Sequence, residues 1–168
     1  GLGLPDRSYY VETDPKSQAT RARYLHHIQK ILELSQMKSI EAQKAAQDIV
    51  RIENALAMVS LTRTQKQDPK QLDHQMTVVE LQKVMPAFSW DLFLKSVEAP
   101  PVPHLQVTEL LFFHKLNELL TQESLSSWKS YFRWHLLRVY SPYLSSAFTK
   151  EHFSFYKEHL RGIQKMTP

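Results

Sequence analysis

With 168 residues the chain has the length for one domain with a sizeable core, and three Gly, nine Pro and almost no two-residue apolar alternation exclude a sheet-built fold. The net charge of +4 is mild and the Lys and Arg are scattered, which speaks against a nucleic-acid surface, and the lack of Cys excludes disulfides and thiolate metal sites. No run approaches the ~18 apolar residues that span a bilayer, and a first residue that is Gly rather than Met reads as a processed or cut start.

The expected fold class is all-α: one helical domain over 1–168, a multi-helix bundle with orthogonal and antiparallel packing, proline-punctuated loops and little or no strand. Residues 1–10, GLGLPDRSYY, read as extended or turn-like, because two Gly, a Pro and a Tyr pair open a helix poorly. Asp14 before Pro15 is an N-cap with Pro at the first helical position. That helix is expected to reach about Gln36, with Ala22, Leu25, Ile28 and Leu32 on one face, and to turn at 37–39 into an antiparallel partner. The partner, 39–63, organises the fold. Its Ala45, Ile49, Ile52, Leu56 and Val59 fall at steps of four, three, four and three, one continuous apolar stripe. Ser39 is placed to cap its start, while Glu41 and Arg63 suit the two ends of its dipole. The stripe carries no chemistry of its own.

A polar loop with Pro69 follows. Thr77 and Glu80 form a capping box with Met76 and Leu81 at staple positions, and Pro86 stops that short helix. Ser89 caps the next, with Phe88 and Phe93 as its staple and Asp91 in its first turn. The run APPVP at 99–103 is a stiff spacer of polyproline geometry and an expected internal seam between sub-bundles. Leu110, Phe113, Leu116, Leu119 and Leu120 then define a helix over about 108–120.

The stretch 124–144 differs because apolar side chains ring it. Trp128, Phe132, His135 and Val139 make one stripe, Tyr131, Trp134 and Arg138 a second, and Leu136, Leu137 and Tyr140 fill between them. A helix apolar all round is expected to be sandwiched by packing, either within this domain or partly against one outside the chain. Thr149 and Glu151 are expected to open a last helix that Gly162 ends as its C′ residue.

Catalytic constellations are missing from this pattern. There is no H-E-x-x-H, no G-x-S-x-G and no phosphate-binding Gly loop. His26 and His27 are adjacent and face different ways, and pairs such as His114 with Glu118 or His152 with Tyr156 fall short of the three or four ligands zinc requires. His135 reads as a satisfied core or interface histidine, and the aromatic and basic mixture over 128–138 has core spacing rather than that of a base-stacking surface. No catalytic residue and no metal ligand is assigned.

Ordered blocks along the chain nevertheless resemble one family. GLGLPDRSYY is similar to the G-L-x-L-P-x-R-x-Y-Y signature of neprilysin-like zinc metalloendopeptidases, and IENALA to their L-E-x-x-L-A helix. DPKQLDHQMTVVELQKVMPAFSWDLFL resembles their D-P segment, M-T-x-x-E-L cap and following helix. WKSYFRWHLLRVYSPYLSSAF and LRGIQ resemble the W-x-x-Y-x-R-W-H-L-L segment with its P-Y-L-S-S-A-F continuation and the L-x-G-x-Q close. Departures are Ser8 for the usual Asp, Gln67 for Arg, and Asp73-His74 for Tyr-Asn.

The resemblance implies the helical N-terminal cap region of such a peptidase, with Pro168 falling where the family runs on towards its catalytic half. It implies zinc in the parent protein, held by H-E-x-x-H and E-x-x-x-D segments that this chain lacks. The implied partners are the catalytic domain of the same polypeptide and peptide substrates, with no nucleic acid, and the implied location is extracytoplasmic: periplasmic, secreted or a membrane-anchored ectodomain. The cap would restrict substrate access to the zinc site without hydrolysing peptides itself. Trp128, Phe132, Trp134 and Tyr140 are the residues expected to hold the cap together or against the catalytic half. A stand-alone helical interaction or scaffold module is the alternative.

Overall fold

The computed structural model describes residues 1–163, so Gln164 of the LRGIQ block and the Pro168 end lie outside the described residues. The helices are α1 (Ser8–Val11), α2 (Pro15–Leu34), α3 (Ser39–Val59), α4 (Pro69–Leu72), α5 (Val78–Val84), α6 (Trp90–Ser96), α7 (Leu110–Gln122), α8 (Leu125–Tyr140) and α9 (Ser146–Phe153). A π-helical turn, Ser154–His159, continues α9. Among the described residues the β content is one antiparallel pair, β1 (Gln75–Met76) with β2 (Leu105–Gln106), in an otherwise all-α chain.

Local chemistry accounts for most element ends. Asp14 accepts from the Lys16 and Ser17 backbone N–H groups and Pro15 starts α2. The α2–α3 turn closes through Gln36 at φ 68°, where the Met37 N–H returns to the Leu32 carbonyl. Thr77 and Glu80 complete a reciprocal capping box on α5, and Ser89 caps α6 with the Phe88 and Phe93 rings 5.7 Å apart. Gly162 takes φ 69° and its N–H bonds the Glu158 carbonyl, ending the last helical run.

The α2–α3 hairpin is the centre of the bundle. Ile49, Ile52, Leu56, Ala42, Ala46 and Ala57 of α3 are buried against Ile28, Ile31 and Leu32 of α2, the alanines letting backbones approach closely. Helices α7 and α8 pack on other sides of α3, and α9 packs on α2. The loop at 99–103 lies on the surface between α6 and β2, and the chain re-enters through the β1–β2 pair.

Several expectations need correction. Residues 8–11 of the opening segment form the single turn α1, where the Asp6 carboxylate accepts from the Ser8 backbone N–H and hydroxyl. Ala22 is exposed, because the inward face of α2 is set by Thr20, Tyr24, His27, Ile28 and Ile31, aromatic and polar positions that a purely aliphatic count passes over. Ser39 does not cap α3: Lys38 holds the N-cap position and the Ser39 hydroxyl donates to Glu33. Helix α3 ends at Val59, where the Ser60 hydroxyl donates to the Leu56 carbonyl, so Arg63 lies beyond it. The last helix begins at Ser146, three residues before Thr149, whose hydroxyl instead bonds carbonyls of the preceding turn, Ser141 and Leu144 among them.

Candidate docking face

Helix α8 is not sandwiched within the described residues. Ser124 caps it by accepting from the Ser127 N–H, and one side then turns inward: Ser127, Trp128, Tyr131 and Trp134 are buried against α3 and α2. The opposite side is left open by the described residues. Leu125, Phe132, Leu136 and Val139 stand exposed at steps of seven, four and three, continued by Tyr140 and by Tyr143 in the turn Ser141–Tyr143. Phe132 is 62% exposed, Tyr140 53% and Tyr143 83%. The α8 sequence holds Lys129, Arg133 and Arg138 and no acidic residue, so this apolar strip has a basic margin.

The four residues expected to hold the cap thus divide by their place on the helix. Trp128 and Trp134 are interior packing, whereas Phe132 and Tyr140 belong to the outward strip.

Beneath the inner face of α8 lies a buried carboxylate. Glu53 is fully buried on α3 and its Oε2 accepts from the Tyr10 hydroxyl at 2.7 Å and the Tyr24 hydroxyl at 2.8 Å. Tyr10 in turn accepts from the Gly3 and Leu4 backbone N–H groups, and the Tyr24 oxygen accepts from the Trp134 indole N–H at 3.2 Å. His135 Nε2 lies 3.1 Å from Glu53 Oε1. The Tyr131 hydroxyl donates to the Gly1 carbonyl and Tyr156 to that of Gly3. One carboxylate therefore ties the opening segment, α1, α2 and α8 to α3. Burial first, and the Glu53 charge second, push the Tyr10 and Tyr24 phenols far above their ordinary range, so both remain hydrogen-bond donors at any working pH.

Sequence reasoning missed Glu53. The signal was present, since Glu53 is four residues after Ile49 and three before Leu56 and so lies on the apolar side of α3. The α3 stripe is therefore not purely apolar in its surroundings: a carboxylate is buried beside it.

No group of three or more His, Asp or Glu that could hold a metal ion exists among the described residues. His26 is exposed and His27 buried, on different faces of α2. No helix among the described residues is long and apolar enough to cross a membrane.

Comparison with known proteins matches the whole chain, residues 1–168, to the N-terminal model of peptidase family M13. Endothelin-converting enzyme 1 of Cavia porcellus is 27% identical over 154 residues, covering 88% of this chain and 20% of that protein. The zinc metalloprotease Zmp1 of Mycobacterium tuberculosis in its open state superposes over 100% of this chain and 26% of its own, at TM-score 0.93 and 29% identity. The same enzyme in complex with an inhibitor gives TM-score 0.92 at 29% identity, over the same shares. The chain therefore spans about a fifth of the curated relative and about a quarter of the solved enzyme.

Proposed function

The chain belongs to peptidase family M13, and on that premise we propose that it is the non-catalytic helical cap of a zinc metallopeptidase. The cap closes a peptide-hydrolysing site carried by the rest of the polypeptide and limits which peptides reach it. Zinc, in this reading, is held by residues outside the chain. Its direct partner is the catalytic domain of the same polypeptide, its indirect ones are peptide substrates, and the whole protein works in an extracytoplasmic compartment. Residues 1–168 act as a single helical domain, with 99–103 a surface spacer bridged by the β1–β2 pair on either side of it.

The observation that carries the docking part is the exposed strip of Leu125, Phe132, Leu136, Val139 and Tyr140 on α8, an apolar face that a closed, buried helix would not leave to solvent. The remainder of the polypeptide, some three quarters of the length of the solved relative, is the occupant in continuous supply. The test is made on the full-length protein with Phe132→Asp and Leu136→Asp. Peptide hydrolysis is expected to fall, or to lose its dependence on peptide size, with zinc content unchanged. Unchanged hydrolysis of short and long peptides alike would overturn the docking role. Hydrolysis by the 168-residue chain alone would overturn the non-catalytic one. If the native reading frame carries no zinc ligands downstream, the same strip belongs instead to a stand-alone interaction module.

A further inference from the structure

Several titratable side chains meet where α9 and its π-helical turn lie on α2, away from the outward strip of α8. His27 is buried, with Nδ1 at 2.8 Å from Glu151 Oε1, its ring stacked 4.7 Å from Phe155 and edge-on to Trp134 at 5.6 Å. Among the described residues its Nε2 is buried with no hydrogen-bond partner, and so is Nδ1 of His152, whose ring lies 4.7 Å from Tyr156. His159 Nε2 lies 3.3 Å from the Thr20 hydroxyl. Phe155, itself buried, is the apolar plug of the joint.

This arrangement suits a neutral His27. Its Nδ1–H donates to a charged Glu151, and the bare Nε2 sits among aromatic rings. A second proton would have to occupy Nε2, where no acceptor stands among the described residues. Burial outweighs the attraction of Glu151 and, helped by His26, holds the His27 imidazole below its ordinary pKa. His152 is pushed down to about 4, by burial first and then by His27, Arg138 and Lys157. The charges around the joint are unbalanced. Helix α2 presents His26 and Lys30, α8 presents Arg138 and the π-helical turn Lys157, against Glu151 as the carboxylate on His27. The α3 carboxylate, Glu53, is engaged by Tyr10 and Tyr24. At the outer end, His159 faces Arg23 and Lys16.

We propose that this joint is a pH-operated latch, which holds 146–159 on α2 at neutral pH and releases that segment as a unit when His27 and His152 take up protons. Protonated His27 is compensated by Glu151 alone, and protonated His152 adds a further cation beside Arg138 and Lys157. The segment that carries Glu151, His152 and the Phe155 plug is then the one that leaves, while the α3 carboxylate, Glu53, stays bonded to Tyr10 and Tyr24 and the alanine-packed contact of α3 with α2 is kept. The proposal goes beyond the cap reading and stands without it.

Amide hydrogen exchange on the 168-residue chain tests it, read as protection factors so that the intrinsic pH dependence of exchange drops out. Between about pH 7.5 and about pH 5, protection over 146–159 is expected to fall ~10-fold or more while α3 keeps its own. In His27→Asn with His152→Gln, Asn keeps a donor towards Glu151 and neither position titrates, so protection at the lower pH is expected to persist. A uniform loss across α3 and 146–159, no loss at all, or an equal loss in the double variant overturns the latch. Should the double variant fail to fold, the imidazole titrations of the wild-type chain decide by NMR. Opening of 146–159 together with protonation of His27 and His152 supports the latch, and opening while both are still neutral overturns it.

Discussion

Tyr10 donates its hydroxyl hydrogen to Glu53 at 2.7 Å across 43 residues of chain, and that one contact fastens the opening segment onto the central helix. The same carboxylate oxygen serves Tyr24, and the Tyr10 oxygen also receives two backbone N–H groups. Removing the acceptor leaves two buried hydroxyls stranded. Glu53→Ala is expected to cost about 2–4 kcal/mol and Glu53→Gln, which keeps a carbonyl acceptor, about 1–2 kcal/mol. Urea unfolding followed by circular dichroism measures both, and equal costs for the two variants would remove the network from the account.

Gly3 is held to its size by the next member of that network. A Cβ at this position would overlap the Tyr24 hydroxyl and come 3.1 Å from Glu53 Oε1. Since Tyr24 is pinned between Glu53 and the Trp134 indole, it has little room to yield. Gly3→Ala is expected to destabilise by about 1–3 kcal/mol, the usual range for overpacking. In Tyr24→Phe the obstructing oxygen is gone, so the added cost of Gly3→Ala should shrink, and a double-mutant cycle on thermal midpoints reads the coupling.

How much of this was legible in the sequence follows from which forces are local. The capping box at Thr77 and Glu80, the Ser89 cap with its Phe88 and Phe93 staple, and the stripe of α3 depend on neighbours within a turn or two, and they stand where the pattern put them. Glu53 escaped because a carboxylate is assigned to water until its donors are known, and those donors, Tyr10 and Tyr24, come from distant segments. Helix α8 shows the same limit from the other side. Its composition says that apolar residues ring it, but only the packed chain divides Trp128, Tyr131 and Trp134 from Phe132, Leu136 and Tyr140. The π-helical turn after α9, which seats Phe155 inside, has no periodic signal, since one widened turn merely shifts the register.

That division of α8 makes opposite forecasts for neighbouring aromatics. Trp134→Ala empties a fully buried site and strips the Tyr24 hydroxyl of a donor, so about 3–5 kcal/mol should be lost. Phe132→Ser, on the outward strip, should leave the 168-residue chain within about 0.5 kcal/mol of the parent. Thermal melts of the two variants check the contrast, and a large cost for Phe132→Ser would mean that the strip is engaged within the chain.

The acid dependence of stability has a sign that the histidines determine. His27 and His152 both sit below their ordinary 6.5 in the folded chain, His152 at about 4. Between those values the unfolded chain binds more protons than the folded one, so stability rises with pH through the window. The contribution is complete above about 6.5 and is lost progressively as pH falls towards about 4. His152 is only about half-buried, so after solvent screening its share is on the order of 1–2 kcal/mol. Carboxylates follow in a second stage: Glu151, held down by the His27 hydrogen bond, together with Glu33 and Glu80, gives up stability only below the usual carboxylate value of 4.5. Urea midpoints measured across this range should therefore begin to decline near 6.5, before Glu151, Glu33 and Glu80 contribute. His152→Gln should delay that onset, whereas a midpoint flat down to about 4.5 would assign the whole acid response to the carboxylates.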